Sequence, residues 1–151
     1  MSEGTSTAAP LGAPTGAPLG APAADRRLAW VEEYAARLRE ELVGVRRRST
    51  SVLAPAQVLA VDPEDWARAG AVAAAFGCRW AAFWADLQGD TLLVRSALEK
   101  GGCHLVLETR VPLTSPRLAS LTPQFPAADR PERHAHDLLG LELVDHPQPH
   151  R

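Results

Sequence analysis

Two glycine turns frame the middle of this chain. Gln88-Gly89-Asp90 and Lys100-Gly101-Gly102 interrupt strand-like residues at nearly equal intervals. Glycine accepts the positive φ that tight hairpins need, so each turn reverses the chain within a few residues. Three strands are therefore expected, over residues 79–86, 91–99 and 103–111, joined as an antiparallel meander. Along the third, Cys103, Leu105, Leu107 and Thr109 point one way and His104, Val106, Glu108 and Arg110 the other. One face should be buried and one wet, the pattern of an antiparallel sheet with helices on one side.

Helices bracket that sheet in sequence. Asp25 reads as an N-cap, and Leu28, Val31, Ala35, Leu38 and Leu42 follow at spacings of three and four, with Gly44 as the stop. Val43–Val45 and Gln57–Val61 read as short strands around a polar turn that contains Arg46 to Ser51. Asp62-Pro63-Glu64-Asp65 opens a second helix, with an Asp cap, proline at the first helical position and acids facing the positive end of the dipole. Trp66, Ala69, Ala73 and Phe76 supply its buried face, and Gly77 ends it. Beyond Pro112 the chain is loop-rich, with Pro116, Pro123 and Pro126. A third helix is expected over 129–139, with Asp129 and Glu132 at capping-box spacing and Gly140 as its stop.

These elements make a single α+β domain over residues 25–151, a mostly antiparallel sheet with helices packed on one face. Residues 1–24 hold one charged side chain, Glu3, and prolines at every fourth position from Pro10 to Pro22. Proline removes donors and glycine removes stiffness, so this segment is expected to be a disordered tail. Apolar residues are 46% of the chain, but 27 of them are alanine, which buries little area. The net charge of -2 argues against nucleic acid or an acidic membrane surface as the main partner. Cys78 and Cys103 form no C-x-x-C pair, so two buried free thiols in a reducing compartment are expected. The longest apolar window, Ala69–Cys78, is half of what a bilayer span needs, about 20 residues, and the N-terminus lacks the basic start of a signal peptide. A soluble, cytoplasmic protein is the expectation.

Motifs for nucleotide phosphates, zinc peptidases and serine hydrolases are absent. His134 and His136 are two positions apart, about 200° around a helix, and so cannot share one metal. No cofactor and no metal is expected, and His146 and His150 read as loose tail residues. Asp137 stands in the last turn of its helix, where the macrodipole opposes a carboxylate. Arg133, one turn earlier, can pair with it, although in the less favourable order. An acid placed against local preference suggests a partner in this fold or on another chain.

The segment Glu132-Arg133-His134-Ala135-His136-Asp137-Leu138-Leu139-Gly140, followed by His146-Pro147, resembles the signature of one subunit family of NADH-quinone oxidoreductase. That family is the thirty-kilodalton subunit of respiratory complex I, with relatives in energy-converting nickel–iron hydrogenases. Its motif reads E-R-E-x-x-D, a hydrophobic residue, an aromatic and glycine, with His-Pro a few residues on. Glu132, Arg133, Asp137, Leu138, Gly140, His146 and Pro147 match it. His134, Leu139 and Asp145 depart from it, at positions where the family has a second glutamate, an aromatic and a glycine. With eleven residues after Gly140, this brevity and these departures resemble the short stand-alone subunits of membrane-bound hydrogenases, or a degenerate paralogue, more than the extended respiratory subunits.

The resemblance implies a non-catalytic structural subunit with no cofactor of its own. Such a subunit braces the large subunit, of quinone-site or nickel–iron type, and the cluster-bearing small subunit in electron transfer. It would touch the membrane only through those partners, peripheral to its cytoplasmic face, with no nucleic acid involved. Glu132, Arg133, Asp137, Gly140, His146 and Pro147 would then form a subunit interface. Charges paired across such a boundary give register and specificity more than affinity. The competing reading is a free-standing α+β protein-binding module outside any redox complex.

Overall fold

A computed structural model describes residues 21–48, 53 and 56–148. Helix α1 spans Ala21–Glu41, so it begins before Asp25 and takes in the last four residues of the expected tail. Pro22 falls in its first turn, where a missing N–H leaves no carbonyl unsatisfied. Residues 1–20 lie outside the described residues. Trp30, Val31, Tyr34, Ala35, Leu38 and Leu42 line its buried face. The Tyr34 hydroxyl donates to the Ala69 carbonyl at 2.8 Å, tying α1 to the second helix.

Strand β1 is Arg46–Arg48 and not the expected Val43–Val45. Gly44 takes a left-handed φ of 92° just after the helix, so the valines serve the turn and the strand starts beyond it. Backbone pairing with β2, Gln57–Ala60, then fixes the arginines in place: Arg46 pairs with Ala60 and Arg48 with Val58, antiparallel. A Cβ at position 44 would stand 2.7 Å from Asp62 Oδ2. That carboxylate faces Arg46 at 3.4 Å and makes no cap hydrogen bond, contrary to its expected role. One 3-10 turn, Pro63–Asp65, leads instead into α2, Trp66–Ala75. Gly77, at φ 73°, closes the turn that follows.

The meander forms as expected, as β3 (Arg79–Gln88), β4 (Thr91–Lys100) and β5 (Cys103–Pro112). Gly89, Gly101 and Gly102 all take positive φ in its turns. The five-stranded sheet has the order β1-β2-β5-β4-β3. Strand β2 inserts beside β5 in parallel, Val58 opposite Val106, while the other three pairings are antiparallel.

One apolar core joins the helices to a single sheet face, through Leu59, Leu92, Val94, Leu105, Leu107 and Val111 against Tyr34, Leu38 and Trp66. The opposite face is not uniformly wet, which corrects the simple alternation. Val106 is buried in the row between Val58 and Ala97. Glu108 is buried because the Arg95 guanidinium binds it at 2.9 Å while holding Asp86 at 3.0 Å. Cys78 is free and buried, whereas Cys103 is free and only half-buried.

The loop-rich stretch also contains structure that its prolines conceal. Strand β6, Arg117–Ala119, and strand β7, Glu142–Val144, pair in parallel as a second small sheet. Helix α3, Asp129–Leu139, connects them and matches its expected bounds. Among the described residues, no helix is long and apolar enough to cross a membrane.

Candidate functional site

The site gathers where α3, the 120–122 loop and the segment after β7 meet. Pro126–Ala128 forms a 3-10 turn running directly into α3, so Ala128 occupies the cap position and Asp129 is already helical. The expected capping box is therefore absent, because backbone bonds of the preceding turn serve the helix start instead. Glu132, freed from that task, points inward and is fully buried. Its Oε2 accepts from Ser120 Oγ at 2.5 Å and Thr122 Oγ1 at 2.9 Å, and its Oε1 accepts from the Leu121 N–H at 2.6 Å. The Thr122 N–H donates to Ser120 Oγ at 3.0 Å, so the loop wraps the carboxylate.

Arg133 turns back to Asp129 at 2.9 Å and not forward to Asp137. An acid four residues before its basic partner is the more favourable order on a helix, and here it wins. The second Asp129 oxygen lies 3.5 Å from His146 Nε2, which is also 3.8 Å from Glu132 Oε2. The His146 ring is buried, so it is no loose tail residue. Asp145 before it takes a left-handed φ of 60°, the geometry that suits the family's glycine at that position. His150 lies outside the described residues.

The far end of α3 faces outward. Gly140, at φ 69°, closes the helix, its N–H donating to the His136 carbonyl at 2.9 Å. His136 Nδ1 lies 3.0 Å from the Leu141 carbonyl, while His134 points to solvent. Asp137 is exposed and has no ion-pair partner among the described residues. Leu138 beside it is 67% exposed.

The six residues singled out in the sequence thus divide by depth. Glu132 and His146 are buried and Arg133 is half-buried, whereas Asp137, Gly140 and Pro147 are exposed. The buried Ser120 and Thr122 and the half-buried Asp129 complete the group without having been singled out as site residues. Only the Asp129–Arg133 spacing signalled one of them. Among the described residues, no cluster of three or more His, Cys, Asp or Glu side chains is placed to hold a metal ion. Elsewhere, α1 and α2 flank a cleft of about 690 Å³. There the Arg68 guanidinium, with Arg37 behind it, holds the Glu41 carboxyl below its ordinary value.

The family model for the 30 Kd subunit of respiratory-chain NADH dehydrogenase matches residues 55–151. That stretch runs from β2 to the end of the chain and includes the whole site. The chain belongs to this family. Membership in the 30 Kd subunit family makes it one component of a multi-subunit respiratory complex, whose other subunits are its partners. Two solved structures share the fold of this family member. The trypsin-resistant fragment (1-134) of Nqo5 superposes with a TM-score of 0.66 at 19% identity, covering 79% of this chain and 98% of its own. A chain of the membrane-bound sulfane sulfur reductase, an archaeal respiratory membrane complex, superposes with a TM-score of 0.59 at 18% identity, covering 76% and 71%. No curated protein matches the sequence.

Proposed function

We propose that the chain is a non-catalytic brace in an NADH-quinone oxidoreductase or an energy-converting nickel–iron hydrogenase. It would hold the large subunit and the cluster-bearing small subunit together on the cytoplasmic face of the membrane. Its signature works in two layers. Glu132, Arg133 and His146 shape α3 from beneath, and Asp137, Gly140 and Pro147, with Leu138 among them, present its outer end to the large subunit. The observation that carries this reading is Asp137, a carboxylate at a helix C-terminus with no ion-pair partner among the described residues, beside an exposed leucine. An acid opposed by the dipole weakens its own helix, so its value lies in a cation from another chain.

Co-purification of Asp137→Asn with the native complex tests this. The variant should unfold like the wild type, because it removes an unfavourable charge from an exposed site. Association with the large subunit should weaken by about 2–5 kcal/mol, the loss for one half of a buried cross-chain pair. Unimpaired assembly would refute the assignment.

A further inference from the structure

Within α3, every carboxylate and guanidinium is claimed by the fold except two. Asp129 and Arg133 bind each other, and Glu132 is closed in by the 120–122 loop. Arg130 and Asp137 remain. Both are exposed, and neither has an ion-pair partner among the described residues. They stand two turns apart, about 10 Å along the axis, and so share one face of the helix.

Each also sits at the end of α3 that opposes it. Arg130 is the second helical residue, where the macrodipole is positive, and Asp137 lies in the last turn, where it is negative. Exchanging the two would favour the isolated helix, which therefore gains nothing from the present order. The same face has the relief of a docking surface. Arg130, His134 and Leu138 are all exposed and follow at intervals of four, the spacing of a ridge that enters the groove of a facing helix. Asp137 lies on the flank of that ridge. Ala127, exposed in the preceding 3-10 turn, has no bulk to hold a neighbour away.

The two charges also set a direction. An acid has to face Arg130 and a base has to face Asp137. A helix carries an acid most favourably in its first turn and a base in its last. The facing helix meets both demands when its N-terminus lies beside the N-terminus of α3; turned the other way, its own charges would oppose its dipole.

We propose that the ridge of Arg130, His134 and Leu138 receives one helix of a neighbouring subunit, running parallel to α3, with a carboxylate against Arg130 and a basic side chain against Asp137. This rests on Asp137 being an interface residue, and adds a second anchor, the partner's chemistry and its direction.

Variants of the full chain, co-purified with the native complex, test the pairing. Arg130→Ala alone should unfold no more readily than the wild type, since a cation leaves the positive end of a helix. Its retention of the large subunit should fall at least about tenfold, the weight of one cross-chain ion pair. A chain carrying both Arg130→Glu and Asp137→Arg keeps its net charge and suits the dipole at both ends. It should melt higher than the wild type and still fail to assemble. Arg130→Lys keeps the cation and supplies an amine that a carbodiimide couples to a touching carboxylate. Mass spectrometry of the coupled complex should place that carboxylate in the first turns of a partner helix with a basic residue about two turns further on. Coupling only within this chain, coupling to an acid off any helix or in the last turn of one, or full assembly of the charge-exchanged chain would each overturn the proposal. Should Asp137→Asn impair assembly and Arg130→Ala leave it intact, the interface reading stands and this pairing falls; full assembly of both would remove the two together.

Discussion

Glu132 is the residue whose loss should be felt most. Its carboxylate accepts three hydrogen bonds, from Ser120, Leu121 and Thr122. Each bond to a charged acceptor contributes about 1.5–3 kcal/mol. The sum overstates the loss, because truncation also relieves the cost of keeping a carboxylate out of water. The two hydroxyls can rotate to new partners, whereas the Leu121 N–H, in a fully buried residue, has nowhere to turn. Glu132→Ala should therefore destabilise by about 4 kcal/mol, within the range for breaking a buried charged network. Glu132→Gln keeps the volume and one acceptor oxygen for Leu121, and its amide can donate to the hydroxyls. It should cost about 2 kcal/mol, the loss of charge assistance alone. Urea unfolding followed by tryptophan fluorescence measures both, since Trp66 is fully buried in the core. An alanine variant within about 1 kcal/mol of wild type, or a glutamine variant as damaging as alanine, would refute the account.

Two further outcomes rest on packing and on burial. A Cβ at Gly70 would stand 2.5 Å from Leu121 Cδ2; Gly70→Ala should thus lower the melting temperature despite its gain of about 1 kcal/mol in helix propensity, and a rise would show the leucine moves freely. Burial pushes the Cys78 thiol up to about 11 against the pull of Lys100, and burial likewise raises the Tyr34 hydroxyl well above its ordinary value. The unfolded chain therefore loses these protons first, and stability should fall as pH climbs from about 8.5 toward 11. Cys78→Ala should make that decline shallower; an unchanged slope in alkaline urea titrations would contradict it.

Much of the architecture is legible because local rules and tertiary packing agree. The three meander strands and α3 are bounded by glycines whose positive φ no other residue adopts as cheaply. Misreadings cluster where a side chain had two possible partners. Asp62 and the Asp129–Glu132 pair both fit cap patterns, yet tertiary contacts claim Asp62 and Glu132. Arg133 had carboxylates one turn away on either side, and helix order decided between them. The parallel β2–β5 and β6–β7 pairings leave no mark in sequence, because strand alternation does not encode a distant neighbour. For the candidate site, the motif marked α3 and the segment after β7. It could not show depth, so Glu132 and His146 looked as available as Asp137.

The insertion of β2 beside β5 also sets an order of events during synthesis. Gln57 pairs with Leu105, 48 positions later, whereas β3, β4 and β5 each find their partner across a short turn. Contacts between close neighbours form early, and distant ones wait on closure of the intervening loop. A chain leaving the ribosome N-terminus first therefore carries Val58 and Leu59 uncovered until the whole meander has emerged. Strand β1 cannot gain a lasting place before β2 does. The unpaired β1–β2 ribbon is the stretch most open to wrong partners while the protein is being made, and so the natural hold for a chaperone.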